Sequence, residues 1–136
     1  MRHKLSKIWI TFRTYYITSK GTTRRRWTEK EKIVEAVKFI RELLKPKQVE
    51  VVYLKNDEVK SYFDENKLPK KVILRGIEVN FDKPLEKTYT EEYEEIYKPI
   101  DEKLLELGIP LYNMWGYGEK GGGWQMDGRH VHLDKK

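Results

Sequence analysis

Leu68-Pro69-Lys70-Lys71-Val72-Ile73-Leu74-Arg75-Gly76-Ile77-Glu78-Val79-Asn80-Phe81 is the run whose reading decides the fold. Two β-rich stretches, 72–74 and 77–81, flank Arg75-Gly76. Glycine supplies the positive φ that a tight hairpin turn needs. The run therefore predicts a hairpin, and a hairpin here orders everything before and after it. Read as one unbroken strand, residues 71–81 give a different sheet. Gly76 is the objection to that alternative, because a glycine in mid-strand weakens pairing.

Upstream, Ile8, Ile10 and Phe12 alternate with Trp9, Thr11 and Arg13, a strand signal within residues 7–18. Residues 19–26 read as a polar, basic loop. Thr28 and Glu31 have the spacing of a capping box. Ile33, Val37, Ile40 and Leu44 then recur at helical spacing until Pro46 stops the helix. Residues 49–54 form a short apolar run, expected as an interior strand. Asn56 is placed to cap a short helix through Asn66 that buries Val59 and Phe63.

Downstream, Thr88 and Glu91 predict a second capping box. Tyr93, Ile96, Tyr97, Ile100, Leu104 and Leu107 share one helical face. Pro99 lacks a backbone donor and interrupts that helix. Gly108 and Pro110 end it. Residues 111–117 and 124–133 read as two strands joined by the glycine cluster 118–123. That cluster lacks the Gly-Lys-Ser/Thr ending and following helix of a phosphate-binding loop, so it reads as a turn. Trp115, Tyr117 and Trp124 flank it, placed either to pack or to stack.

The order strand, helix, strand, short helix, strand, strand, helix resembles the thioredoxin-like fold over residues 7–107, with residues 108–136 as an added hairpin in a single domain of 1–136. Pro69 ahead of Val72-Ile73-Leu74-Arg75-Gly76-Ile77 carries the resemblance. In that family a cis-proline precedes the third strand, and an Asn-Gly-like turn leads into the fourth. The first crossover should put strands one and two parallel, with a right-handed connection. The family's Cys-x-x-Cys belongs at the start of the first long helix. Here that place reads Arg24-Arg25-Arg26-Trp27-Thr28 and the chain has no cysteine. The resemblance therefore implies the α/β fold without the redox activity. The unbroken-strand reading leads instead to a ferredoxin-like α+β sandwich, a fold also found among nucleic-acid binders.

The absence of cysteine excludes disulfides and thiolate chemistry. No apolar run approaches a membrane span, and no signal-peptide core follows the basic start. The lack of cysteine is compatible with the expected cytoplasmic, intracellular location. The net charge is +6, but residues 1–48 hold 14 Lys/Arg against 4 Asp/Glu, and the remainder hold 14 against 18. A basic end of this size calls for an anionic partner, nucleic acid first. The plain alternative is a surface rich in Lys and Glu, as thermophile proteins have.

Arg24, Arg25 and Arg26 precede the first helix, whose N-terminus suits phosphate. With Arg13 and Lys20 they are the expected phosphate contacts, and Tyr16 and Trp27 the expected stacking platforms, as in single-strand binding. Tyr15 and Tyr16 must point opposite ways on a strand. No cofactor is implied by this non-redox binding reading.

His130 and His132 stand two apart, on one face of a strand, a spacing that suits a divalent metal. His130-Val131-His132 resembles the His-hydrophobe-His motif of replication initiators, relaxases and related transposases. That resemblance implies a nickase using Mn²⁺ or Mg²⁺ with a tyrosine nucleophile. Tyr93 and Tyr97, four apart on a helix, would be the candidates, with Tyr15 and Tyr16 in the relaxase variant. Asp127, Asp134 or His3 would complete the metal site. In initiators the tyrosine follows the histidines, whereas only four residues follow His132. A third expectation is a self-associating subunit, in which the acidic run Glu91, Glu92, Glu94 and Glu95 meets the basic end of another copy.

Overall fold

The deciding run contains no hairpin. The computed structural model describes residues 2–54, 60–118 and 121–127. In it Leu74–Thr88 is one continuous 15-residue strand. Positive φ among the described glycines occurs at Gly21 and Gly108, not at Gly76. Gly76 serves close approach instead. A Cβ there would stand 2.6 Å from Cη2 of Trp9 and 2.7 Å from the carbonyl oxygen of Ile10. The indole lies across the strand where any side chain would intrude.

The chain opens with β1 (Arg2–Phe12), then β2 (Tyr15–Ile17), β3 (Thr23–Arg25) and β4 (Thr28–Glu29). Helix α1 (Lys30–Leu44) leads to β5 (Gln48–Tyr53) and β6 (Lys60–Tyr62). A 3₁₀ turn, Glu65–Lys67, precedes β7 (Lys71–Val72) and β8 (Leu74–Thr88). The second helix is composite: α2 (Tyr89–Glu92), a π turn (Tyr93–Tyr97) and α3 (Lys98–Leu107). The strands β9 (Leu111–Gly118) and β10 (Gly121–Asp127) close the described chain.

The fold is thus a small mixed α/β domain. Six strands form one sheet in the order β10-β9-β1-β8-β5-β6, and every neighbouring pair is antiparallel. Strand β8 lies between β1 and β5 and runs antiparallel to both, so the first two long strands are parallel to each other, as the first crossover requires, without being hydrogen-bonded neighbours. No peptide bond among the described residues is cis, the one before Pro69 included. The path runs β1-α1-β5-β8-α3-β9, and these long strands stand in the spatial order β9-β1-β8-β5.

One sheet face packs the helices. Leu5, Ile8, Ile10 and Phe12 from β1 meet Ile77 and Val79 from β8, with Ile33, Val37 and Ile40 from α1 and Ile96, Ile100 and Leu104 from the second helix, all buried. Each such side chain contributes about 1.5–3 kcal/mol relative to an exposed one. A register shift between Leu5 and Lys7 lets Leu5 and Ile8 share that face despite their odd spacing. The other face carries Lys7, Trp9 and Thr11, with Asn113, Trp115 and Tyr117 opposite them on β9.

Several local signals behave as their chemistry dictates. The Thr88–Glu91 capping box is formed in both directions. The Thr28–Glu31 box is not. Thr28 is buried in a bridge with Val72, which moves the N-cap to Glu29, and Glu29 makes no side-chain cap bond. The Pro99 irregularity takes the form of the π turn. The amide of Lys98 reaches back five residues to Tyr93, and Pro99 enters the first turn of α3, where no donor is missed. The expected helix around Phe63 is replaced by β6 and the 3₁₀ turn, and residues 55–59 lie outside the described chain. No helix among the described residues is long and apolar enough to cross a membrane.

Gly76→Ala should lower the unfolding free energy by about 1–3 kcal/mol through overpacking. Urea unfolding checks it. In combination with Trp9→Val the cost should fall well below the sum of the two single changes.

Candidate nucleic-acid interface

The basic stretch ahead of α1 is a two-stranded ribbon. Strands β2 and β3 pair antiparallel, Tyr15 with Arg25, Tyr16 with Arg24 and Ile17 with Thr23. They form a sheet of their own, apart from the six-stranded one. Two further backbone bonds extend the ladder at its ends, Arg26 N–H to Thr14 O and Thr18 N–H to Thr22 O, at 2.9 and 2.8 Å. The tip is held by the Thr18 and Thr22 hydroxyls, 2.6 Å apart, and turns through Gly21 at φ 78°. The expected loop is therefore a structured element. Its β-branched Ile17, Thr18, Thr22 and Thr23 give the strand preference that the arginines obscure.

Ribbon geometry gives the three arginines different roles. Arg24 and Arg25 are exposed. Neither makes an ion pair among the described residues, with Glu29 and Glu31 included. Arg26 is committed to the body of the protein. Its Nη2 donates to the Gly108 carbonyl at 2.8 Å, at the C-terminus of α3, and its Cζ lies 5.8 Å from the Tyr16 ring centroid. A cation there complements the helix dipole. Arg26 thus ties the ribbon to the body of the protein. The arginines do not crown the helix N-terminus. The Lys30 amide is taken by the Lys70 carbonyl, and β4 pairs with β7 beside it.

The alternation of Tyr15 and Tyr16 holds. Tyr15 is 47% exposed and Ile17 58%, whereas Tyr16 is half-buried beside Arg26. Trp27, just past the ribbon, is 60% exposed. Lys20 is exposed at the tip. Arg13 is half-buried at the ribbon's base, with Cζ 5.3 Å from the centroid of Tyr112, itself exposed. Tyr112 carried no sequence signal as a surface aromatic, because its strand was legible but its outward face was not.

The nickase candidates are placed otherwise. Tyr97 is fully buried and its hydroxyl donates to the buried carboxylate of Glu92. Gly116 leaves room for this pair, since a Cβ there would stand 3.0 Å from Glu92 Oε2. Burial, then the Glu92 hydrogen bond and charge, push the Tyr97 phenol far above its ordinary range. A nucleophilic tyrosine needs the opposite environment. Tyr93 is partly buried on the same helix. His130, His132 and Asp134 lie outside the described residues. Among the described residues no three His, Asp or Glu side chains gather as a metal site. The acidic run is largely spent locally: Glu91 caps the helix, Glu92 is buried, and Glu95 pairs with Lys87 at 2.6 Å.

Tyr97→Phe should lower stability at neutral pH by about 1–3 kcal/mol, because it leaves the buried Glu92 carboxylate without this donor. The raised phenol pKa stabilises the fold fully below pH of about 10 and progressively less above it, where the unfolded chain can ionise and the folded one cannot. Wild-type melting temperature should therefore fall above that pH, and Tyr97→Phe should flatten part of the fall.

Comparison with protein-family models, with curated proteins and with solved structures returned no match to this chain.

Proposed function

We propose that the protein binds nucleic acid through the β2–β3 ribbon and the aromatic side chains at its base. The observation that carries this reading is the pair Arg24 and Arg25, exposed on an ordered ribbon and without carboxylate partners among the described residues. Residues 13–28 contain five Lys/Arg and no Asp or Glu. Like charges held this close repel one another, and a polyanion relieves the cost. Lys20 at the tip adds a third exposed cation without an ion pair among the described residues. Tyr15 and Trp27 offer exposed ring surface beside these charges, the combination that serves nucleic-acid backbones and bases together. Arg26 and Tyr16 fix the angle of the ribbon instead of contacting the ligand.

Titration of a fluorescent oligonucleotide at several salt concentrations tests the proposal. Three phosphate contacts, from Lys20, Arg24 and Arg25, predict a slope of about −2 to −3 in log Kobs against log salt. Substituting both Arg24→Ala and Arg25→Ala should shrink the slope by about 2, with the circular dichroism spectrum unchanged. Binding that ignores salt would defeat the proposal.

A further inference from the structure

The ribbon's dimensions discriminate among nucleic acids. Five consecutive levels are hydrogen-bonded or paired, from Thr14 with Arg26 at the base to Thr18 with Thr22 at the tip. At about 3.3 Å per residue, four steps give a reach of about 13 Å. The major groove of B-form DNA is about 8.5 Å deep and about 12 Å wide, and the minor groove is about 6 Å wide. The two strands of a ribbon stand about 5 Å apart before side chains are added to either face. Such a ribbon is long enough to reach the floor of the major groove and is broader than an undeformed minor groove. The major groove of A-form RNA is deep and narrow, and side chains cannot read it.

The side chains agree with the dimensions. Ribbon residues 14–26 carry no carboxylate to repel a phosphate wall. Arg24 and Arg25 are neighbours on β3, so they point to opposite faces of the ribbon and address opposite walls of a groove. Both are exposed, as are Ile17, Thr22 and Thr23 near the tip. Arginine pairs with the major-groove edge of guanine, and apolar or threonine methyl groups meet the thymine methyl. The tip is clasped by the Thr18–Thr22 contact and the base by Arg26 on Gly108, so the ribbon enters the groove without being ordered first.

We infer that the β2–β3 ribbon inserts into the major groove of B-form duplex DNA, with Arg24 and Arg25 facing its two walls. This rests on the nucleic-acid reading above and adds the substrate class. The test is fluorescence anisotropy of the full chain with three labelled probes of one mixed sequence: duplex DNA, either single strand, and duplex RNA. Duplex DNA should bind at least ~10-fold tighter than the other two. Methylation of guanine N7, which fills the major groove, should weaken binding, and netropsin in the minor groove should not compete. Arg24→Ala with Arg25→Ala should cost ~10-fold or more on duplex DNA, and circular dichroism establishes that the variant is folded. A single strand bound as tightly as the duplex overturns the groove assignment while leaving nucleic-acid binding in place. So does displacement by netropsin with no effect of N7 methylation. Failure to bind any probe removes both.

Discussion

Strand β1 has hydrogen-bonded partners on both edges, β8 along one and β9 along the other. Its register therefore propagates outward to most of the sheet. Ile10 sits opposite Ile77 and Met114, and Ile8 opposite Val79 and Gly116. A slip of one residue would turn every one of these side chains to the wrong face. The contact that opposes such a slip on the outer face is Trp9 lying across Gly76. The ring needs the one position in β8 without a side chain, so the pairing has a lock as well as a pattern. The glycine that suggests a turn is, in the folded chain, a condition for strand continuity.

The two long helices were legible because their signals are local. Ile33, Val37 and Ile40 at helical spacing mark the buried face of α1, and the Thr88–Glu91 box forms as its spacing dictates. Strand neighbours were not legible in the same way. Whether β8 lies beside β1 or beyond β5 depends on pairing over more than sixty residues of sequence, and no local rule registers that. Thr28 shows the same limit at small scale. Its capping spacing was correct, but a bridge to Val72 pulled it into a strand. At the candidate site, charge density was visible and geometry was not. Alternation separated Tyr15 from Tyr16, yet only the anchoring of Arg26 on Gly108 decided which of them faces outward.

Three arginines in a row end in three environments for one structural reason. Alternation sends Arg24 and Arg25 to opposite faces, and the helix C-terminus claims Arg26. The ribbon takes little from the core. It is a separate sheet, its strands are mostly exposed, and it is joined to the body through its base. On the proposed reading, changes toward the tip can therefore alter binding without altering stability, whereas changes at Arg26 act on both. That separation suits a surface whose charges are costly to the free protein. Repulsion among Lys20, Arg24 and Arg25 is borne by an element the core does not depend on, at positions where water screens it. On the proposed reading the same charges become favourable once a polyanion lies beside them. On the nucleic-acid reading proposed above, an arrangement of this kind puts the basic excess of the chain where it destabilises least in the free state and contributes most when bound.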